Sequence, residues 1–127
     1  MKAEELMIGD WVKISSQFAQ IYDVGHNTIG VQFSDGYDVF EPQSIEPIPL
    51  TVEILESNGF EKKGHRYGIY DDYFDFELHE YNDGTWLVTY HCCEMSLPDE
   101  QVLIFHVHQL QHFMRHCAID KVLKLEP

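Results

Sequence analysis

The 127-residue chain is 44% hydrophobic and 13% aromatic, enough apolar side chain for the core of one domain or two small ones and too much for a disordered segment. Its 8 Lys and Arg stand against 22 Asp and Glu, a formal net charge of −14, which excludes a binder of phosphate backbones and suits a partner that is itself basic. No basic start precedes an apolar core, no apolar run approaches the roughly 20 residues of a membrane helix, and the three cysteines are odd in number with two adjacent, so a signal peptide, a membrane span and a disulfide framework are not expected and a reducing cytoplasm is.

In chain order, residues 1–8 read as a short helical turn leading into Gly9-Asp10. Asp10–Ser15, Ala19–Val24, Thr28–Phe33 and Tyr37–Phe40 then read as four short strands. They are separated by Gly25-His26-Asn27 and by Ser34-Asp35-Gly36, where Asp-Gly supplies the positive φ of a tight hairpin. Four short strands closed by a proline-rich exit predict a small antiparallel barrel of the SH3-like type over residues 1–48. Ile45–Leu50 is the joint, held extended by Pro47 and Pro49. Thr51 is an N-cap, Val52–Asn58 a short helix and Gly59 its left-handed stop. Arg66–Tyr70 is a candidate strand. Phe74–Tyr81 alternates strictly, with Phe74, Phe76 and Leu78 on one face and Asp75, Glu77 and His79 on the other. After the turn Asn82-Asp83-Gly84, Thr85–His91 returns, setting Phe76 opposite Tyr90 and Leu78 opposite Val88. A loop broken by Pro98 follows over 92–100, then a strand at Val102–Phe105, a helix over Val107–Ala118 and a last short strand at Lys121–Leu125. The expected fold is α+β: the small SH3-like barrel, a short helix, then an antiparallel sheet with the C-terminal helix packed on it. Residues 49–127 form the second subdomain, and the two pack as one compact unit.

Four histidines, His106, His108, His112 and His116, fall within eleven residues (HVHQLQHFMRH). At 100° per residue, Leu110, Phe113, Met114, Cys117 and Ala118 cluster on one side of the helix, and His108, His112 and His116 on the other, so these histidines are expected to face outward. Histidines four apart can share a metal ion, but three over two turns spread about 12 Å, and the helix brings no acid. The candidate metal site is therefore His108 with His112, zinc being the ion that pair suits and a third ligand coming from elsewhere. The plainer reading is a polar, solvated face, and no cofactor is expected.

Cys92 and Cys93 follow His91, placing thiols beside an imidazole, yet strand neighbours point to opposite faces, so ordinary strand-end cysteines are the expectation. Asp71, Asp72, Asp75 and Glu77 are the candidate binding residues, because acids gathered along one strand and its turn suit a basic protein partner. A solvated sheet face reads the same way. There is no calcium loop, phosphate loop, nucleophile elbow or CxxC pair. That argues against an enzyme while leaving an undetected hydrolase, with Asp75, Glu77 or His79 in a pocket, as an alternative.

Glu5–Val12 (ELMIGDWV), Glu46–Phe60 (EPIPLTVEILESNGF) and Val107–Gln111 (VHQLQ) together resemble a family of small uncharacterised proteins from gut anaerobic bacteria and their phages and mobile elements. The resemblance covers both ends and the joint, which is its most specific part. It implies a bacterial or phage cytoplasmic setting and carries no activity or catalytic residue to this chain. In that family the positions of His112 and His116 are often not histidine. The function expected is a non-enzymatic protein-binding or adaptor module, in its sharper form an acidic inhibitor of a basic or nucleic-acid-binding partner. A metal-binding protein using His108 and His112 is the alternative. Direct binding of nucleic acid or membrane is not expected.

Overall fold

The computed structural model describes residues 1–81, 83–92 and 99–125. The fold is α+β, with two antiparallel sheets and two α-helices among the described residues. The chain forms two compact units: Met1–Pro49 with His106–His112 and the segment from Val122, and Leu50–Phe105 with Phe113–Lys121. Among the described residues no helix is long and apolar enough to cross a membrane.

In the first unit, β1 (Trp11–Ile14), β2 (Gln17–Val24), β3 (Ile29–Phe33) and β4 (Gly36–Phe40) form an antiparallel meander in sequence order. Alternation delivers Val12, Ile14, Ala19, Ile21, Ile29 and Val31 to one buried face, where Leu6 and Ile45 join them. Among the described residues the sheet is an open one, β1 and β4 at its edges, with a further bridge from Lys13 to Glu46. The short helical turn expected in the opening residues is a 3₁₀ turn, Ala3–Glu5. The first half of the C-terminal helix docks on this unit through backbone groups. The Trp11 amide donates to Gln111 Oε1 at 2.8 Å, Gln111 Nε2 donates to Gly9 O at 2.9 Å, and the Val107 amide donates to Ile48 O at 2.9 Å.

The second unit opens with α1 (Val52–Ser57), six residues long and too short to persist alone. Thr51 Oγ1 accepts from the Ile54 amide at 3.3 Å. The helix closes with Phe60 N–H on Leu55 O and Gly59 at φ +80°, a left-handed stop that a side chain would strain. Thr51→Ala is expected to cost about 1 kcal/mol, read as a lower urea midpoint at unchanged slope. The sheet that follows is a five-stranded antiparallel meander: β5 (Glu61–Lys63), β6 (Arg66–Tyr70), β7 (Phe74–Glu80), β8 (Trp86–Cys92) and β9 (Glu100–Ile104). Phe76 pairs with Tyr90 and Leu78 with Val88, the register expected from the alternation. Phe76, Leu78, Trp86, Val88 and Ile104 are buried. It is the Phe113 end of α2 (Val107–His116) that packs on this sheet, its ring 5.9 Å from that of Phe76.

Three expectations are corrected. Lys121–Leu125 is not a strand, although Leu123 and Leu125 are buried; the Leu123 carbonyl accepts from Trp11 Nε1 at 2.8 Å instead of joining a ladder. The helix ends at His116 and not at Ala118, because Ala118 turns left-handed (φ +58°) and closes the last turn with Ile119 N–H on Met114 O. The histidines do not share an outward face: His108 is 4% exposed. Residues 93–98 of the expected loop, Cys93 and Pro98 among them, and Asn82 of the expected turn lie outside the described residues, while Cys92 and Glu100 at the loop's expected ends belong to strands.

Candidate functional sites: a histidine pocket and an acidic sheet face

One histidine of the pocket is held by a buried carboxylate. Asp10, fully buried at the start of β1, accepts the Met7 amide at 2.8 Å and sits against Nε2 of His112 at 2.7 and 2.9 Å. One helical turn before His112 is His108, their rings 5.6 Å apart and nearly perpendicular. The His106 ring lies 5.8 Å from that of His108 and almost parallel to it. These three histidines, with Met1, Glu5, Pro47 and Gln109, line a cavity of about 370 Å³. Among the described residues no group bonds Nδ1 of His108. Burial, reinforced by His112 and His106 and opposed by Asp10 and Glu5, pushes the His108 imidazole down to about 4, so it is neutral at pH 7. Burial lowers His106 as well.

The fourth histidine is elsewhere. His116 is exposed, belongs to the second unit and meets Glu100 Oε1 at 3.0 Å. The pair His108–His112 is thus brought together, as its spacing of four requires, but Asp10 already engages Nε2 of His112. Among the described residues no three of His, Cys, Asp and Glu are disposed to hold one ion. Sequence reasoning missed Glu5, which lines the pocket, and Asp10, which does not line it but holds His112. Asp10 lies 102 residues before the histidine it holds, with only a Gly-Asp turn signal to mark it.

The acidic residues fall into two groups in the second unit. Asp71 and Asp72 form the exposed β6–β7 turn with Tyr73, which is 71% exposed. The Asp71 amide donates to Phe74 O at 3.0 Å, and Asp71 Oδ1 accepts the Tyr73 amide at 2.9 Å. Asp75 and Glu77 share the opposite face of β7 from Phe74, Phe76 and Leu78. Asp75 stands between Tyr70 and His91, and Glu77 between Gly68 and Thr89. Glu77 is not a lone acid: Tyr70 Oη donates to it at 2.9 Å and Arg66 Nη1 lies 3.5 Å away. Burial and then Glu77 push the Tyr70 hydroxyl up to about 12. The Lys63 ammonium covers the Tyr70 ring at 3.6 Å. Arg66, Glu77, His79, Leu87, Thr89 and Gln101 share this face and line a depression of about 360 Å³. Arg66, Tyr70 and Lys63 were invisible as site residues because only strand pairing sets them beside Glu77.

The thiols make no nucleophilic site among the described residues. Cys92 pairs opposite Phe74 on the apolar face, while His91 pairs opposite Asp75 on the polar one and is bonded to Asp99. Asp99 raises the His91 imidazole. Burial and Glu100 push the Cys117 thiol up to about 11, which leaves it protonated and inert at neutral pH. Compared with protein-family models, curated proteins and solved structures, the chain matches none.

Proposed function

We propose that this chain is a non-enzymatic binding module that docks a basic protein partner on the acidic face and turn of its second sheet. The observation that carries the reading is the open polar face of β6–β9. Asp75 and Glu77 lie on it, Asp71, Asp72 and Tyr73 rim it, and Arg66, His91, Gln101 and Leu103 on it are exposed. A protein of net charge −14 draws such a partner by long-range attraction and repels nucleic acid. The sharper form is an acidic inhibitor that imitates nucleic acid to a basic or nucleic-acid-binding target, in a bacterial or phage cytoplasm. The Lys13–Glu46 bridge, which adds chain beside β1, supports reading residues 1–48 as a small SH3-like barrel that serves as scaffold.

The test is capture from a bacterial lysate by the untagged chain across a salt series, beside the variant Asp75→Lys with Glu77→Lys. A stoichiometric basic partner is expected, released as ionic strength rises from about 0.05 to 0.5 M and lost from the variant at low salt. A partner indifferent both to salt and to the charge reversal sinks the reading.

A further inference from the structure

The outer face of the first sheet carries an aromatic corner. On β2, Ile21 pairs with Val31 and Asp23 with Gly30, with an irregularity between Ile21 and Asp23. The extra residue, Tyr22, is thereby set on the same side as Asp23. A Cβ on Gly30 would stand 2.8 Å from Cζ of Tyr22 and 3.1 Å from Cβ of Asp23. The bare glycine backbone is what lets the Tyr22 ring lie against the sheet. Tyr37 on β4 meets that ring edge-on, centroids 5.0 Å apart at 85°. Both rings face solvent, Tyr22 41% and Tyr37 65% exposed, and Val39, paired with Gly30, is 53% exposed beside them.

Apart from His26, the ionisable side chains of these strands and their turns, the two tyrosines aside, are acidic. Asp23, Asp35, Asp38 and Glu41 are exposed on and around these strands, and no lysine or arginine occurs between Lys13 and Lys62. In the second unit, by contrast, Lys62, Lys63 and Lys121 cover the rings of Tyr67, Tyr70 and Phe60. Two tyrosine π-systems at a right angle, flanked by a carboxylate, attract a cation through the ring quadrupole and the charge together. The strand that carries Tyr37 is an open edge: among the described residues β4 pairs with β3 alone, and Gly36 through Val39 are exposed. An open edge takes an extended chain by strand addition.

We propose that Tyr22, Tyr37 and Asp23 form a cradle for a lysine side chain of an extended basic peptide aligned along β4. The cradle belongs to the first unit and does not depend on the acidic face of the second.

The test uses an acetylated, amidated peptide alternating lysine and threonine, titrated into the ¹⁵N-labelled chain. Amide shifts are expected at Tyr22, Gly30 and residues 36–40. Tyr37→Leu is expected to weaken binding about five- to tenfold, and acetylating the peptide's lysines to weaken it as much, while Tyr37→Phe, which keeps the π-face, stays within about twofold of the parent. Asp75→Lys with Glu77→Lys is expected to leave these shifts in place, so failure of the second-sheet reading does not touch this one. No shifts along β4, shifts confined to β7, or a Tyr37→Leu variant that binds like the parent would each overturn it. Peak dispersion in the same spectra confirms that each variant is folded.

Discussion

Trp86→Ala is expected to lower the unfolding free energy by about 3–5 kcal/mol, a large part of the 5–15 kcal/mol typical of a small domain. Trp86 is fully buried on β8, between Glu80 of β7 and Ile104 of β9. Its ring meets that of Tyr67 edge-on at 6.2 Å, and its Nε1 donates to the Leu50 carbonyl at 3.1 Å. Truncation removes a large apolar surface, opens a cavity the sheet cannot close, and strips a buried carbonyl of its donor. Trp86→Phe separates these terms. It keeps most of the packing and loses the hydrogen bond, so about 1–2 kcal/mol is expected. Urea titrations followed by circular dichroism read both. A cost below about 1 kcal/mol for the alanine variant would mean that the second sheet does not fold around this residue.

The second large effect is a pH dependence. The His108 imidazole titrates near 6.5 in the unfolded chain and near 4 in the fold. Between those values the unfolded state binds more protons. Stability is therefore full above pH 6.5 and falls as the pH is lowered toward 4, by something on the order of 3 kcal/mol from this group. The groups around it are His106, His112, Asp10 and Glu5, the two acids opposing the shift without cancelling it. His108→Leu cannot take up the proton, so its stability should be flatter than the parent's over the same interval. The comparison is of slopes, which spares it from the packing change that the substitution brings. Equal slopes, in urea midpoints measured from pH 7.5 to 4, would show that His108 protonates in the fold as readily as out of it.

Both predictions rest on residues that the sequence presents very differently. Trp86 belongs to a stretch whose period of two is plain, and the alternation of β7 and β8 was enough to set Phe76 against Tyr90 and Leu78 against Val88. Thr51 and Gly59 likewise mark the ends of α1 by local chemistry. Where the local signal is weak, the reading failed. β5 is Glu-Lys-Lys at an edge, with no apolar alternation to betray it, and its pairing with β6 makes it a strand. The β1–β2 turn uses Ser15 and Ser16 at φ +48° and +71°, where glycine or asparagine is the usual signal.

The acidic face was legible as a set of residues, because Asp75, Glu77 and His79 share the period of a strand. Its pairings were not, because the strands that hold Arg66 and Lys63 contribute nothing to the period of β7. The histidine helix shows the same division more sharply. A helical wheel ranks side chains by hydrophobicity and counts imidazole as polar, so it turns His108 and His112 away from the apolar side. What it cannot register is a buried carboxylate 102 residues away in sequence, which takes His112, or the tertiary packing that buries His108. The strands with a plain period of two, the Thr51 and Gly59 ends of α1 and the register of β7 on β8 follow from the sequence by itself, since each depends on neighbours a few residues apart. The ends of the meanders, the partners of Asp10 and Glu77, and which histidines are enclosed were decided by tertiary structure alone, because hydrogen bonds and burial between distant segments leave no period in the chain to read.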